Sequence, residues 1–547
     1  MKTPVLIVGG GPIGLTLSLV FAKFGVDCIV IERNISTTKH PKMDITNSRS
    51  MEIFRFLGVD DHIHAAAVSN DICLDVSWVS KLTGYEIHRF PYPSPAQARE
   101  NYRTLNDGTL STEADIRISQ ILVEPLLRDA ALNSSHVTIR YGCELIDLKQ
   151  DDSGVTAIIK DNGSGKHKTI RSQYLVGCDG GNSKVRNSLK IGVSGDAKIR
   201  SRYSIHFRSK DKCIFEPWGP AWHYQSPVHG TLVSQDGIER YTLHSYLSDA
   251  ETAETVDPYT KVRNFVGRDF HFDLLKAIHW DNNLLVADRY REGRVILAGD
   301  STHQYIPTGG YGMNTGVGDA LDVGWKLSAA VQDWGGDTLL NSVEEERRPV
   351  ALRNCEGSKR HAEVRIAIGS IWQENIDDPS EEGDTLRGSL GEKIADIGNA
   401  ENESRGIEIG YNYSGSSIVC NQLGDETPSD TLHYIPTTTP GCRPPALYLS
   451  DGSSLFDLFG TGFTLLNFEP DKLNSATFQE EAKRFGIPFS EVSIRDDHAK
   501  RLYQYSLVLI RPDQHVAWRG MAIPEDVVVV LKTVTGHFTG NERKGTT

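Results

Sequence analysis

Near its start the chain carries Gly9-x-Gly11-x-x-Gly14 between an apolar run, Val5–Val8, and a stretch of helical spacing, Leu15–Phe24. Glycines so spaced can hold a pyrophosphate. The first makes a tight turn, the second lets the backbone approach the phosphates, and the third brings helix close to strand. Pro12 suits the first helical position, where an N–H would be unpaired anyway, and the helix N-terminus offers its free N–H groups to an anion. Glu32, closing the next strand beside Arg33, can accept hydrogen bonds from a ribose diol. A second group lies far downstream in RVILAGDSTHQYIPTGGYGMNTGVGDALDVGWKL. Asp300 there follows a strand and can accept from polyol hydroxyls, while Gly309, Gly310 and Gly312 let backbone approach a flat ring. The helix near Asn314 aims its positive end over that loop. A reduced flavin, negative around N1 and the C2 carbonyl, is the ring such an end stabilises.

The elements that must position these residues are legible in outline. Residues 1–33 read as one βαβ unit, ended by Gly25 and Glu32. Helical spacing returns in Asn47–Leu57, Ser119–Ala131 and Thr315 to about Gln332. Between about 70 and 112 short alternating runs and PYPSPAQA suggest a sheet or lid excursion, and 192–280 holds many short β-type runs. The acidic segment Glu374–Glu403 reads as a solvated loop or helix surface, and a Pro-rich linker near 430 precedes a last β/α stretch. The expected fold is α/β: a Rossmann-like dinucleotide domain over 1–70, 112–191 and 281–400, interleaved with a sheet domain over 71–111 and 192–280, and a C-terminal unit over 430–547. GSGK at 163–166 resembles a phosphate loop, but His167 replaces the required Ser or Thr, so it reads as a hairpin turn.

Composition narrows the function. The 547 residues are 39% hydrophobic and 24% charged, with 58 Lys plus Arg against 72 Asp plus Glu. A net charge of −14 argues against a nucleic-acid binder, which needs a basic face. No run of 18 apolar residues suggests a membrane span, and the glycines at 9–11 interrupt any signal-peptide core. Eight scattered cysteines without CxxC fit thiols in a reducing compartment, so a cytoplasmic enzyme is expected. The 18 histidines show no metal-ligand spacing, and no metal is expected.

Together, GxGxxG, DGxxSxVR at Asp179–Arg186 and GDxxH…PxxGxGMNxG from Gly299 resemble the class A FAD-dependent aromatic hydroxylases. The phenol hydroxylase and dichlorophenol hydroxylase branch is the nearest likeness, and ERRPVA (Glu346–Ala351) and GCRPPALYLSDGSSLFDLFG extend it over nearly the whole chain. The resemblance implies FAD as cofactor, with NADPH or NADH visiting transiently, since no second GxGxxG exists. It implies that Glu32, Arg49, Gln120 and Asp300 contact FAD, that Asp179 shapes the pyrophosphate surroundings, and that Gly312, Met313 and Asn314 offer backbone groups to the isoalloxazine. It also implies that the C-terminal unit is thioredoxin-like, redox-silent for want of CxxC, and that the protein is a homodimer.

The chemistry so implied is ring hydroxylation of a phenolic substrate with O2, through a flavin C4a-hydroperoxide whose distal oxygen attacks an electron-rich carbon. Ionising the phenol raises that richness, so a base is expected, in a water-poor pocket. Asp44, five residues before Arg49, matches the position of such an Asp in phenol hydroxylase. His303 and the Pro307 carbonyl are further catalytic candidates, His303 reading also as a structural hydrogen-bond partner, and Trp222, His223 and Tyr224 are candidate pocket walls or core packing. An alternative is Baeyer–Villiger or dearomatising oxygenation of a polyketide-type aromatic ketone. A flavin halogenase would need WxWxIP, which the chain lacks.

Overall fold

The computed structural model describes residues 1–247, 251–252, 254–422 and 424–538. Its first sheet is built on the βαβ start. Strand Lys2–Val8 lies parallel between Cys28–Glu32 and His167–Gly177, and the parallel order continues outward to Val137–Tyr141 on one side and Val295–Leu297 on the other. Strands buried on both faces read as continuous apolar runs, as Val5–Val8 does. Helix Pro12–Lys23 covers one face and packs against the long helix Tyr311–Val331. The two glycine-rich groups, 300 residues apart in sequence, are thereby set side by side.

A seven-stranded sheet forms the second layer, ordered Asp273–Asp281, Ser201–Arg208, Arg240–Tyr246, Gly230–Ser234, His223–Ser226, Val76–Val79 and Glu86–Phe90. Alternation along its strands gives it two unlike faces. Tyr203, Ile205, Phe207, Tyr224, Tyr241 and Leu243 turn into an aromatic-rich core capped by helix Pro258–Val266. Arg202, Ser204, His223 and His244 take the other face and line a cavity against the first layer.

Three helices refine the sequence reading: the first replaces an expected sheet or lid excursion, the second settles the acidic segment as helix surface, and the third lies where no element was read. The Pro-rich segment after 90 is a helix, Pro95–Leu105, because Ser94 and Gln97 form a reciprocal capping box and Pro95 starts its first turn. The acidic stretch contains helix Glu381–Ile397, capped by Ser380 with three acids in its first turn, where they complement the helix dipole. Residues Asp337–Gly369 form one 33-residue helix; Pro349 and the glycines at 357 and 369 concealed it as apparent breakers.

A four-stranded sheet, ordered Phe489–Ser493, Phe463–Asn467, Leu507–Ile510 and Val516–Gly520, forms the C-terminal unit. It is locked to the first layer by buried charge. Arg511 clasps Glu346 through two bonds of 2.6 and 2.7 Å, and Lys326 adds a third at 2.6 Å. Arg443 pairs with Glu52, which Arg49 also reaches at 3.0 Å. Burial alone would raise Glu346, but Arg511 and Lys326 outweigh it and hold its pKa low. Arg511→Met should therefore lower the unfolding free energy by roughly 3–5 kcal/mol, the cost of stranding a buried charge. A denaturant midpoint corresponding to less than about 1 kcal/mol would show that this cluster does not carry the interface. None of the eight cysteines forms a disulfide among the described residues, and no helix there is long and apolar enough to cross a membrane.

Candidate active site

Between the two layers lies a cavity of about 1230 Å³, larger than the ~300–1,000 Å³ that suits one ligand. The glycine turn forms one end of it. Gly9 has φ +109°, and a Cβ there would stand 2.2 Å from the Cys178 carbonyl oxygen. A Cβ on Gly14 would stand 2.0 Å from the Gly9 carbonyl oxygen, so this glycine serves the strand–helix approach and does not line the cavity. Gly11 differs: a Cβ there meets nothing within 4 Å, because the residue faces the cavity. The first-turn N–H groups of helix Pro12–Lys23 have no intrahelical acceptors and open on the same space.

Glu32, also on the cavity, is anchored at both oxygens. The Gly10 N–H donates to Oε2 at 2.8 Å, and the Asn34 backbone and side chain donate to Oε1 at 2.8 and 2.6 Å. Arg33 and Gln120 line the wall beside it, Gln120 donating to Glu124 at 2.6 Å. Asp179 lines it too, but its carboxylate is taken up by Ser183 Oγ at 2.5 Å and the N–H groups of Lys184 and Val185; it fixes the loop that backs Gly9. Asp300 projects into the cavity. The protein packed around that opening raises its carboxyl above the usual range, with His303 and Lys42 pulling the other way.

At the far end, Gly310 (φ +65°) caps helix Tyr311–Val331, and Gly312 and Met313 line the cavity in its first turn. Pro307 lines it as well, but its carbonyl accepts the Gly310 N–H at 2.9 Å and so closes a turn. Segment Asp44–Ile45 packs on this loop. Asn314 Nδ2 donates to the Ile45 carbonyl at 3.3 Å, and a Cβ on Gly310 would lie 2.7 Å from Ile45. Asp44 is thus placed where the loop meets the sheet. The indole N–H of Trp222 donates to its Oδ2 at 2.6 Å. Burial raises the Asp44 pKa, against that hydrogen bond and the charge of Arg117.

Several expected site residues do not reach the cavity. Arg49 is buried against Glu52, Tyr411, Gln514 and the Asp513 carbonyl, so it braces the C-terminal unit. His303 is enclosed, its Nε2 2.8 Å from Asp319 and its ring stacked on Tyr305. Asn314 does not line the cavity with its side chain, which is spent on Asn47, Ser50, Ile45 and Gly310; this leaves open its expected part, a backbone group in the helix's first turn. Tyr224 is turned into the opposite core, bonded to the Gly219 carbonyl at 3.0 Å, because adjacent strand residues face opposite ways. His223 therefore lines the cavity and Tyr224 cannot, while Trp222, just before the strand, bonds Asp44 without lining the cavity itself. The wall includes residues not anticipated: Arg202, Ser204, His244, Trp280, Arg365 and Glu401.

The free N–H groups, the open face of Gly11, the carboxylates of Glu32 and Asp300 and the helix end at Gly312 fit a flavin dinucleotide. Comparison with known proteins agrees. The family model described as FAD binding domain matches residues 2–358, and that described as aromatic-ring hydroxylase, C-terminal, matches 437–537. The chain belongs to this family and is a FAD-dependent aromatic monooxygenase of the flavoprotein hydroxylase class. It is 34% identical over 549 residues to the FAD-dependent monooxygenase apdD of Emericella nidulans, covering 95% of this chain and 88% of that protein. It is 28% identical over 581 residues to phenol 2-monooxygenase of a Pseudomonas strain, covering 97% and 92%. The solved structure of RebC with bound 7-carboxy-K252c matches with a TM-score of 0.89 at 31% identity, over 98% of this chain and 100% of that one.

Proposed function

We propose that the protein uses NADPH or NADH and O2 to hydroxylate a phenolic ring held between the Pro307–Met313 loop and the cavity face of the seven-stranded sheet. The observation that carries this reading is Asp44: a carboxylate with a raised pKa, on the cavity, packed against the loop that fits the flavin. FAD, when bound and reduced, supplies the activation of O2. The protein's part is to bind, orient and move a proton. Asp44 takes the proton of the substrate hydroxyl, with Trp222 holding Oδ2 and steering the carboxylate. A raised pKa brings the base nearer the operating pH, which is what proton transfer in the transition state needs. Ile278, Val233 and Trp280 supply the apolar wall that keeps water from the reacting ring.

The same reading assigns the nicotinamide nucleotide a transient visit, since the sequence holds no second GxGxxG. The order of strands and helices after residue 463 supports a thioredoxin-like C-terminal unit that packs without redox work. A homodimer and a cytoplasmic location complete the proposal. The test is NADPH and NADH oxidation in air across simple phenols and larger fused-ring phenols, with the products identified. Stimulated oxidation with a ring-hydroxylated product supports it. A lactone or dearomatised ketone as product would move the chemistry to oxygenation of an aromatic ketone. Peroxide release alone with every phenol would reject phenols as substrates.

A further inference from the structure

Resting on that reading, the wall of the cavity narrows the substrate further. Arg202 is only 8% exposed and lines the cavity. Its guanidinium lies 3.9 Å from the centre of the Tyr246 ring, and no carboxylate among the described residues forms an ion pair with it. The neighbouring Arg365 shows the contrast. Its guanidinium is neutralised by Glu401 through bonds of 2.8 and 2.9 Å, with Thr231 taking a third at 2.8 Å. A buried cation without a carboxylate to neutralise it costs several kcal/mol, and a phenol such as Tyr246 replaces that carboxylate only in part.

The exposed Arg200 lies over the same Tyr246 ring at 3.9 Å and adds to that charge. Burial would raise the Tyr246 hydroxyl, but Arg202 and Arg365 outweigh it and lower its pKa, so this phenol is the polar partner Arg202 has in the wall. Ser204, two residues on along the same face of the strand, is occupied by the Trp280 indole N–H and by His244 Nδ1, each at 2.8 Å. Burial and then the charge of Arg202 push His244 down to about 3, so it adds no positive charge at neutral pH. We propose that Arg202 is the anion-recognising residue of the substrate subsite, and that the substrate is an aromatic compound bearing an acidic oxygen group, a carboxylate or an ionised enol, in addition to its reacting ring. A planar guanidinium is suited to such an oxygen pair because two parallel N–H groups can meet it, and the ring of Tyr246 holds its plane.

The test uses the full-length FAD-loaded enzyme and calorimetric binding of matched pairs. They are 3-hydroxy-2-naphthoic acid against its methyl ester, and 2-hydroxy-1,4-naphthoquinone, an acidic enol, against its methyl ether; 2-naphthol serves as the neutral reference. Wild-type enzyme should bind at least one acid about 10- to 100-fold more tightly than its ester or ether, the range of a charge-assisted contact. The pair that shows the preference separates a carboxylate from an enol. Arg202→Met should reduce it to within about threefold, the acid-to-neutral ratio being taken within each FAD-loaded enzyme so that any general change in binding, read with 2-naphthol, divides out, and Arg202→Lys should recover part of it. Equal binding of acids and neutral partners by the wild type overturns the proposal whether or not any variant folds, as does a preference that survives in Arg202→Met. If neutral phenols still stimulate NAD(P)H oxidation in that case, the hydroxylase reading stands and only the acidic substrate class falls.

Discussion

Gly9→Ala is expected to yield a protein that purifies almost free of flavin and melts well below the wild type, whereas Gly11→Ala should keep its stability and still lose flavin. The two glycines sit two residues apart but answer to different neighbours. At Gly9 the backbone is in the left-handed half of φ space, and an added methyl would overlap the Cys178 carbonyl. Such strain costs of order 1–3 kcal/mol, and the displaced turn would carry the helix N-terminus away from the phosphates. At Gly11 φ is −76° and ψ −174°, which alanine adopts freely, and the methyl would enter open cavity. The stability of Gly11→Ala should stay within about 1 kcal/mol of wild type, since Gly→Ala at a compatible site changes mainly the unfolded chain. FAD affinity should nevertheless fall by roughly 10² or more in both, each tenfold corresponding to about 1.4 kcal/mol. Flavin absorbance per protein and apoprotein melting read the two effects separately. A Gly11→Ala enzyme that retains full flavin would mean that the cofactor does not approach this turn.

Asp44→Asn should lower kcat by roughly 10²–10⁴ with phenols that are neutral at the assay pH, the usual contribution of a positioned base. KM should change only a few-fold, because the amide is the same size and its oxygen can still accept the Trp222 hydrogen bond. The pH dependence has a defined sign. Burial raises the Asp44 pKa, and the ionised form is the base, so wild-type kcat should fall as pH drops through a value above the ordinary ~3.9 of aspartate. That acidic limb should vanish in Asp44→Asn. A variant within threefold of wild type, with the limb intact, would remove Asp44 from the chemistry.

How much of this was readable beforehand depended on how local the physics is. The roles of Gly9, Gly11 and Gly14 follow from a single turn, and the structure separates them as their spacing implied. Asp300 and the loop to Met313 were equally local, since a strand end, glycines and a helix start lie within twenty residues. Pro307 stands on the cavity, but its carbonyl is turned back to Gly310, a detail of turn geometry that residue types do not reveal. Within the group Trp222, His223 and Tyr224, period-two alternation separates only the last two, since the strand starts at His223 and the Trp222 ring lies against that of His223. Arg49 lies off the cavity, and His303 proves a structural hydrogen-bond partner, for another reason. Their partners, Asp513 and Gln514 for one and Asp319 for the other, are set by how distant segments pack, and only the fold brings them together. Arg202 was hidden for the same reason, since an arginine in a β-run ordinarily points to solvent, and its burial follows from the layer stacked upon that sheet.

The most direct test of the central claim is isotopic. The FAD-loaded enzyme should be turned over with NADPH or NADH and the best phenol under ¹⁸O2, and the organic product weighed by mass spectrometry. One ¹⁸O atom on a new ring hydroxyl, formed in proportion to nucleotide oxidised, is expected of an aromatic hydroxylase. Oxidation of the nucleotide with an unlabelled aromatic product, or with peroxide as the sole fate of oxygen for every substrate tried, would contradict that claim.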